Sequence, residues 1–414
     1  MSIVSTTVRK VGPYQWVNAD GLPCTREGLP LPNEPFLGVI HMGDLHHAQS
    51  SGTNDDVSDA TELFVDTIDL IIANKDAWKI RLFISPGDLV DMQYNSGNTN
   101  SKFAEVMVQL NRLVDAGIGV GVTPGNHEPA QAFIDNVSMA FLKRSPTFNG
   151  DTRASNDARC SVHLVDNGPV KLAYILLDYH GPSNQLVTGW VADMCAKYAD
   201  RQVVLCTHVW VDKLGFNMQD RGPVESLNAF PNNGASIDEV KACKNIFMTL
   251  SGHFRGRWAN ALSFDVNNYG KTITNSCLNT QQMYSSGKNY FHVHQVYADR
   301  VDVAMFDTRL GRFLENGEAA ERASTTVNTK LGYWHRFSAP LHGMGIPELP
   351  FDAPQFLQNT DYVGSLAVGP NALDMTQSVS RPTVSVPYRG IFADGVARTW
   401  SFGGTTVRPV PTLS

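Results

Sequence analysis

The chain of 414 residues has no run of about 18 consecutive apolar residues, the length a helix needs to cross a bilayer. Its first residues, MSIVSTTVRKVGPYQWV, lack the apolar segment of a signal peptide. Together these absences set the expectation of a cytoplasmic protein with no membrane partner. Cysteine is sparse and scattered. Cys24, Cys160, Cys195, Cys206, Cys243 and Cys277 form no CxxC pair, so buried free thiols in a reducing compartment are expected rather than a zinc ribbon or a disulfide framework. No G-x-S-x-G serine-hydrolase elbow occurs, and Gly270-Lys-Thr lacks the earlier glycine of a P-loop. Internal repeats and low-complexity tracts are missing. So is any excess of positive charge, because 33 Lys and Arg stand against 40 Asp and Glu for a net charge of −7. That disfavours a protein built to hold nucleic-acid backbone, but not one with a small anionic substrate, since metal ions can supply local positive charge. Between Pro354 and Ser414 there is no Lys and no Glu.

What is present suits a globular fold. Hydrophobic residues make up 42% and charged residues 18%, enough apolar material for a sizeable core in one large domain or two ordinary ones. Residues 1–35 are rich in Pro, Gly and Asn and read as an irregular arm. From Phe36 short apolar runs alternate with amphipathic stretches. Residues 36–42, 80–85 and 118–123 read as strands. Between them, Phe64, Ile68, Ile71 and Ile72, then Phe103, Val106, Met107, Leu110, Leu113 and Val114, recur at helical spacing. A βαβαβ start implies parallel strands with right-handed crossovers. Further on, 161–165 and 170–178 read as a strand pair turning at Asn167-Gly168, and Val187, Trp190, Val191, Met194 and Tyr198 as a helix. Residues 202–207 and 246–250 read as strands around a short helix at 237–244, and strands dominate from 261 to 306. Past about residue 311 the chain reads as an appendage or a small β-rich element. Asn136-Val-Ser138 is a glycosylation sequon by pattern only.

Five short clusters each follow a predicted strand directly. They are Asp44-Leu-His46, Gly87-Asp88-Leu-Val-Asp91, Gly125-Asn126-His127-Glu128, Thr207-His208 and Gly252-His253-Phe-Arg255. In open α/β sheets ligands bind outside the carboxyl ends of strands, so side chains far apart in sequence converge there on one crevice. A mixed set of carboxylate, amide and imidazole donors suits Mn, Fe or Zn rather than Ca, which wants oxygen only. Singly each cluster is an ordinary cap or turn; five in this order are not.

The series D-x-H, GDxxD, GNH[DE], an isolated His and GH-x-x resembles the calcineurin-like metallophosphoesterase superfamily over about residues 36–310. The resemblance implies an α/β fold, a two-sheet β-sandwich flanked by helices, with an N-terminal arm at 1–35 and a C-terminal β or irregular extension at 311–414. It implies two divalent metal ions bridged by Asp88. Asp44, His46 and Asp88 look like ligands of the first; Asp88, Asn126, His208 and His253 look like ligands of the second. His127 resembles the family's non-ligand histidine, which serves the leaving oxygen, and Asp91 the aspartate that orients it. The implied activity is hydrolysis of a phosphate mono- or diester by a metal-bound hydroxide.

Two departures qualify the match. Arg255 stands where the family's last histidine ligates the first metal, and a guanidinium stays protonated. Three readings stay open: water or His47 fills the gap, one metal binds tightly and the other weakly, or Arg255 grips the substrate phosphate. An asymmetric dinuclear site with Arg255 near the substrate is the favoured one. Met92 stands where the protein Ser/Thr phosphatases carry Arg, and Asp91 where purple acid phosphatases carry Tyr, so neither subclass is indicated. His180 is a candidate for the rim of the crevice. His41 reads as a hydrogen-bonded core residue, and His292 and His294 as a satisfied or exposed strand pair. The rival readings are a nuclease on the same scaffold and an assembly protein with a vestigial site, self-associating through the C-terminal extension.

Overall fold

The computed structural model describes residues 9–12, 15–17, 23–24, 35–46, 57–91, 99–168, 170–178, 189–210, 233–253, 260–279, 290–298, 300–308, 310–314, 336–341, 387–391 and 397–401. Three short strands, β1 (Arg9–Gly12), β2 (Gln15–Val17) and β3 (Pro23–Cys24), form a small antiparallel sheet within the stretch expected to be irregular. Then comes the predicted alternation: β4 (Leu37–His41), α1 (Val57–Ala73), β5 (Ile80–Ser85), α2 (Thr99–Asp115) and β6 (Gly119–Val122). β4, β5 and β6 are parallel neighbours, as the βαβαβ pattern requires.

The chain next forms α3 (Ala130–Asn136), α4 (Met139–Arg144) and β7 (Phe148–Thr152), which the sequence reading did not resolve because each is short. Here the sequon has a structural role. Asn136 Nδ2 donates to the Ala132 carbonyl at 2.8 Å, and Ser138 Oγ caps α4 by accepting from Phe141 N at 3.2 Å. β8 (Ser161–Asn167) and β9 (Val170–Leu177) form the predicted hairpin, followed by α5 (Trp190–Lys197), β10 (Gln202–Thr207), α6 (Asn233–Ala242) and β11 (Ile246–Ser251). β12 (Asn260–Val266), β13 (Thr272–Leu278), β14 (Tyr290–Val296) and β15 (Arg300–Asp307) complete the run of strands.

These strands divide between two mixed sheets. One has the order β12-β13-β11-β10-β9-β8-β7. The other has the order β15-β14-β4-β5-β6, extended beyond β15 by β16 (Arg312–Phe313) and also paired there with β17 (Arg336–Pro340). Part of the stretch read as an appendage thus belongs to the second sheet, and Phe337 and Ala339 of β17 are fully or almost fully buried in the inter-sheet core. A separate hairpin, β18 (Pro387–Ile391) and β19 (Ala397–Ser401), lies further along the chain.

Alternation along the strands produces three apolar layers. Ile40, Phe83 and Val120 face outward onto Phe64, Ile68 and Ile71 of α1 and Phe103, Val106 and Leu110 of α2. Val203, Leu205 and Ile273 face Val191 of α5 and Val240 of α6. Between the sheets, Val39, Leu82 and Ile84 meet Leu172, Tyr174, Leu176, Val204 and Leu250. The result is a two-sheet sandwich with helices on its outer faces, the α/β architecture expected. Among the described residues no helix is long and apolar enough to cross a membrane. The five cysteines whose side chains are described, Cys160, Cys195, Cys206, Cys243 and Cys277, are buried and free, as their apolar settings predict.

Leu176→Ala removes a fully buried side chain from the inter-sheet layer. It should cost about 2–5 kcal/mol of stability, read from the denaturation midpoint at unchanged slope. A cost below about 1 kcal/mol would mean that the two sheets do not close on each other as described.

Candidate metal centre

Each of the five clusters sits where a strand ends. Asp44 and His46 follow β4, Asp88 and Asp91 follow β5, and Asn126, His127 and Glu128 follow β6. His208 follows β10 and His253 follows β11 in the other sheet. His253 N donates to both carboxylate oxygens of Asp44 at 3.0 Å, which joins the loops of the two sheets, and Gly252 N donates to the His208 carbonyl at 3.0 Å between the loops after β11 and β10.

The backbone there is strained. Asp44 (φ 54°), His46 (φ 41°), Asp88 (φ 54°) and His253 (φ 67°) all adopt the left-handed region, which non-glycine residues rarely occupy. Such conformations cost of order 1–3 kcal/mol each and persist only when neighbours over-determine them. Here the constraint is a lattice of hydrogen bonds between loops, including His46 N to the Asp88 carbonyl at 2.8 Å and His127 N to Asp88 Oδ1 at 2.9 Å. Two glycines make the close packing feasible. A Cβ on Gly125 would lie 2.1 Å from Asp88 Oδ1, and one on Gly252 would lie 2.1 Å from Asp44 Oδ2.

The side chains converge on Asp88. Its Oδ2 lies 3.1 Å from His46 Nε2, 3.2 Å from His208 Nε2 and 3.9 Å from His127 Nε2. Asn126 Oδ1 lies 2.8 Å from His208 Nε2 and 2.7 Å from His253 Nδ1, and those two nitrogens are 3.2 Å apart. Two donor sets result, Asp44/His46/Asp88 and Asp88/His208/His253, each with ligand atoms within 4.8 Å of one another and Asp88 common to both. His208 Nδ1 faces the Pro86 carbonyl at 3.2 Å, so it carries the proton and leaves the Nε2 lone pair for the site. A shared carboxylate, imidazole nitrogens and an amide oxygen meeting at one buried point form a set that fits two divalent cations.

His127 stands beside this set. Its Nδ1 lies 2.9 Å from Asp91 Oδ1, and its ring meets that of His46 edge to face at 4.4 Å between centroids. His46, Asp91 and His127 also satisfy the geometry of a donor cluster. The Asp91 contact occupies Nδ1, which leaves Nε2 as the nitrogen directed toward the Asp88 side.

Glu128 was not among the predicted site residues. It is fully buried, and its Oε2 accepts from Asp88 N at 3.0 Å and Gly125 N at 2.7 Å while Oε1 accepts from Val90 N at 2.8 Å. It staples the β5 loop to the β6 loop and so positions Asp88 and Asn126. Its signal was the acidic fourth place of Gly125-Asn126-His127-Glu128, which carries no donor to the metals and is therefore easily passed over. Arg255, His47 and His180 lie outside the described residues.

The charges are strongly coupled. Burial opposes ionisation of Asp88, but the His208 and His46 imidazoles outweigh it and hold this carboxyl well below the usual carboxylate range. Burial raises the pKa of Asp44, with His46 acting against it. His46 is pushed up to about 9, because the pull of Asp88 and Asp44 exceeds the opposing effect of burial. Burial, followed by the Asp88 charge, lifts Glu128 to about 8.

These shifts have a consequence for metal loading. Without metal, a proton on His46 neutralises Asp88 below about pH 9, and a cation must displace that proton. Loading with Mn²⁺ or Zn²⁺ at pH 7 should therefore release about one proton or more per chain, and apparent affinity should rise with pH toward about 9. A pH indicator in weak buffer reads the release directly. Binding without proton release, at an affinity that ignores pH, would contradict this electrostatic account.

The model of the family described as calcineurin-like phosphoesterase matches residues 37–257. No curated protein matches the chain. Among solved structures, the chain is similar to a dimetal phosphatase from Danio rerio, with 11% identity, a TM-score of 0.47, and coverage of 66% of this chain and 97% of the other. It is also similar to a purple acid phosphatase from yellow lupin (Lupinus luteus) seeds, with 12% identity, a TM-score of 0.41, and coverage of 73% and 57%. Likeness to GAP50, the anchor in the inner membrane complex of Plasmodium, is of the same order, with 11% identity, a TM-score of 0.40, and coverage of 71% and 91%. Similarity at this level carries no argument about substrate. The family model does, at the level of chemistry, for it spans more than half of the chain and takes in all five strand-end loops: this chain belongs to the calcineurin-like phosphoesterase family, whose shared chemistry is metal-dependent phosphoester hydrolysis.

Proposed function

We propose that this chain hydrolyses a small phosphate mono- or diester at a dinuclear centre of Mn, Fe or Zn ions. The observation that carries the reading is Asp88, a buried carboxylate common to two donor sets. In this reading Asp44, His46 and Asp88 hold one ion, and Asp88, Asn126, His208 and His253 hold the other. When bound, such a pair supplies Lewis-acid charge for the phosphoryl oxygens and a water activated at neutral pH. Everything else falls to the protein. Asp88 places one negative charge between the two sites, which lets both fill in a buried setting. Asn126 adds a neutral oxygen, so the second set does not accumulate excess negative charge.

His127 is the proton donor to the leaving oxygen. Asp91 Oδ1, 2.9 Å from Nδ1, accepts from Nδ1–H and orients the ring, so that in the doubly protonated imidazolium Nε2–H supplies the proton that the departing alkoxide needs. Arg255 follows His253 by two residues in sequence and serves as a fixed cation for the substrate phosphate, in place of a metal ligand. Residues 36–310 together with β16 and β17 form the phosphoesterase domain in this reading, between an arm at 1–35 and the rest of the extension at 311–414.

Bis-p-nitrophenyl phosphate against p-nitrophenyl phosphate, with metal content measured on the same preparation, separates diester from monoester activity. Asp88→Asn should nearly abolish turnover and lower metal content, because both ions lose a shared charge. Full activity with full metal would sink the assignment. His127→Ala should leave metal content near that of the parent while the rate falls by roughly 10²–10⁴. The loss should shrink for substrates with good leaving groups, which need little protonation. An equal loss for good and poor leaving groups would remove His127 from the acid role.

A further inference from the structure

Between the two sheets, at the end of β4 and on β14, three histidines face one another. β14 runs antiparallel to β4 in a register that sets His292 opposite His41 and His294 opposite Val39. Alternation puts all three imidazoles on the inter-sheet face, with Val39, Ile84 and Val303. Ring centroids are 5.7 Å apart for His41 and His292, 5.8 Å for His41 and His294, and 6.1 Å for His292 and His294. One ring nitrogen from each lies within 4.8 Å of the other two.

All three are fully buried. Among the described residues, neither ring nitrogen of His41 or of His294 has a hydrogen-bond partner. This overturns the expectation of a hydrogen-bonded His41 and of an exposed pair at 292 and 294. A buried polar atom without a partner is costly, so a cluster of them at one point calls for an occupant. The facing sheet also carries buried hydroxyls. Thr274 and Ser276 are register partners of Met248 and Leu250, which belong to the inter-sheet layer, and the hydroxyls of both are likewise buried without partners among the described residues.

We propose that His41, His292 and His294 form a structural metal site inside the sandwich, for a late first-row transition-metal ion, Zn²⁺ or Cu⁺. Imidazole donors suit such ions, whereas Mg²⁺ and Ca²⁺ want oxygen. A tetrahedral ion with metal–nitrogen bonds of about 2.0–2.1 Å needs nitrogens about 3.3 Å apart, so the three rings, whose nearest nitrogens lie within 4.8 Å of one another, would draw together around it. Burial keeps His41 well below its usual pKa and lowers His294 to about 3, so both rings offer lone pairs at any physiological pH. The site ties β14 to β4, the strand that leads directly into Asp44 and His46. It does not depend on the phosphoesterase reading, because it shares no residue with that centre.

The test uses the full chain carrying Asp88→Asn, which weakens the strand-end centre, expressed with zinc and copper supplied and then dialysed against EDTA. About one chelator-resistant ion per chain is expected, with an X-ray absorption spectrum showing imidazole nitrogens at about 2.0–2.1 Å. Elemental analysis distinguishes zinc from copper. Adding His294→Phe, which keeps the volume but removes the donor, should abolish retention and lower Tm. A folded Asp88→Asn chain that retains no ion overturns the proposal, as does an ion that survives His294→Phe or a spectrum without imidazole. If the His294→Phe chain does not fold, the absorption spectrum of the ion held by its parent decides. Metal content and turnover of Asp88→Asn before dialysis report on the strand-end centre separately, so the two readings can fail independently.

Discussion

The structure turns on a single buried carboxylate. Asp88 uses every polar group it has: its N–H donates to Glu128, its carbonyl accepts from His46 N, Oδ1 accepts from His127 N, and Oδ2 faces the imidazoles of His46 and His208. A lone carboxylate in such a place would pick up a proton rather than bear the loss of water. Asp88 stays ionised because imidazoles from both sheets surround it. Its left-handed backbone, with those of Asp44, His46 and His253, follows from the same demand, since an ordinary turn would not aim donors from five loops at one point.

That demand explains the sandwich. Parallel strands deliver their carboxyl ends to one rim, and each sheet delivers its own set: β4, β5 and β6 from one, β10 and β11 from the other. Only by pressing the two sheets together through Val39, Ile84, Leu176, Val204 and Leu250 do the two rims meet. Outer helices complete the burial on each side. The energy for holding strained loops near like charges comes from this core, which lies away from the chemistry. Three histidines interrupt its apolar character, His41 on β4 and His292 and His294 on β14, and β4 is the strand that leads into Asp44 and His46.

Much of this was legible beforehand, for particular reasons. Helices α1 and α2 announce themselves by apolar residues at helical spacing, and β5 and β10 by short apolar runs. The strand-end clusters were legible because metal chemistry restricts residue types severely, and strand ends restrict their placement. Glu128 was missed because it works through backbone N–H groups, and no side-chain chemistry marks such a role. β7, α3 and α4 are too short for periodicity to separate them from loops. β17 was hidden because its partner β15 lies some thirty residues back, and pairing at that distance leaves no local trace.

His41, His292 and His294 mark the division between the two sources of information. His292 and His294 read as neighbours on one strand face, but nothing along the chain joins them to His41. Sequence by itself determined the longer elements, the place of the five polar clusters at strand ends and the family, because these follow from local patterning and from residue chemistry. Tertiary structure alone decided that Asp88 is common to two donor sets, that Glu128 ties two loops together, and that three histidines from β4 and β14 face a common point. Those facts are distances between residues up to two hundred or more positions apart, as for Asp44 and His253. They are set by sheet register and by how two sheets close, which no window of sequence contains.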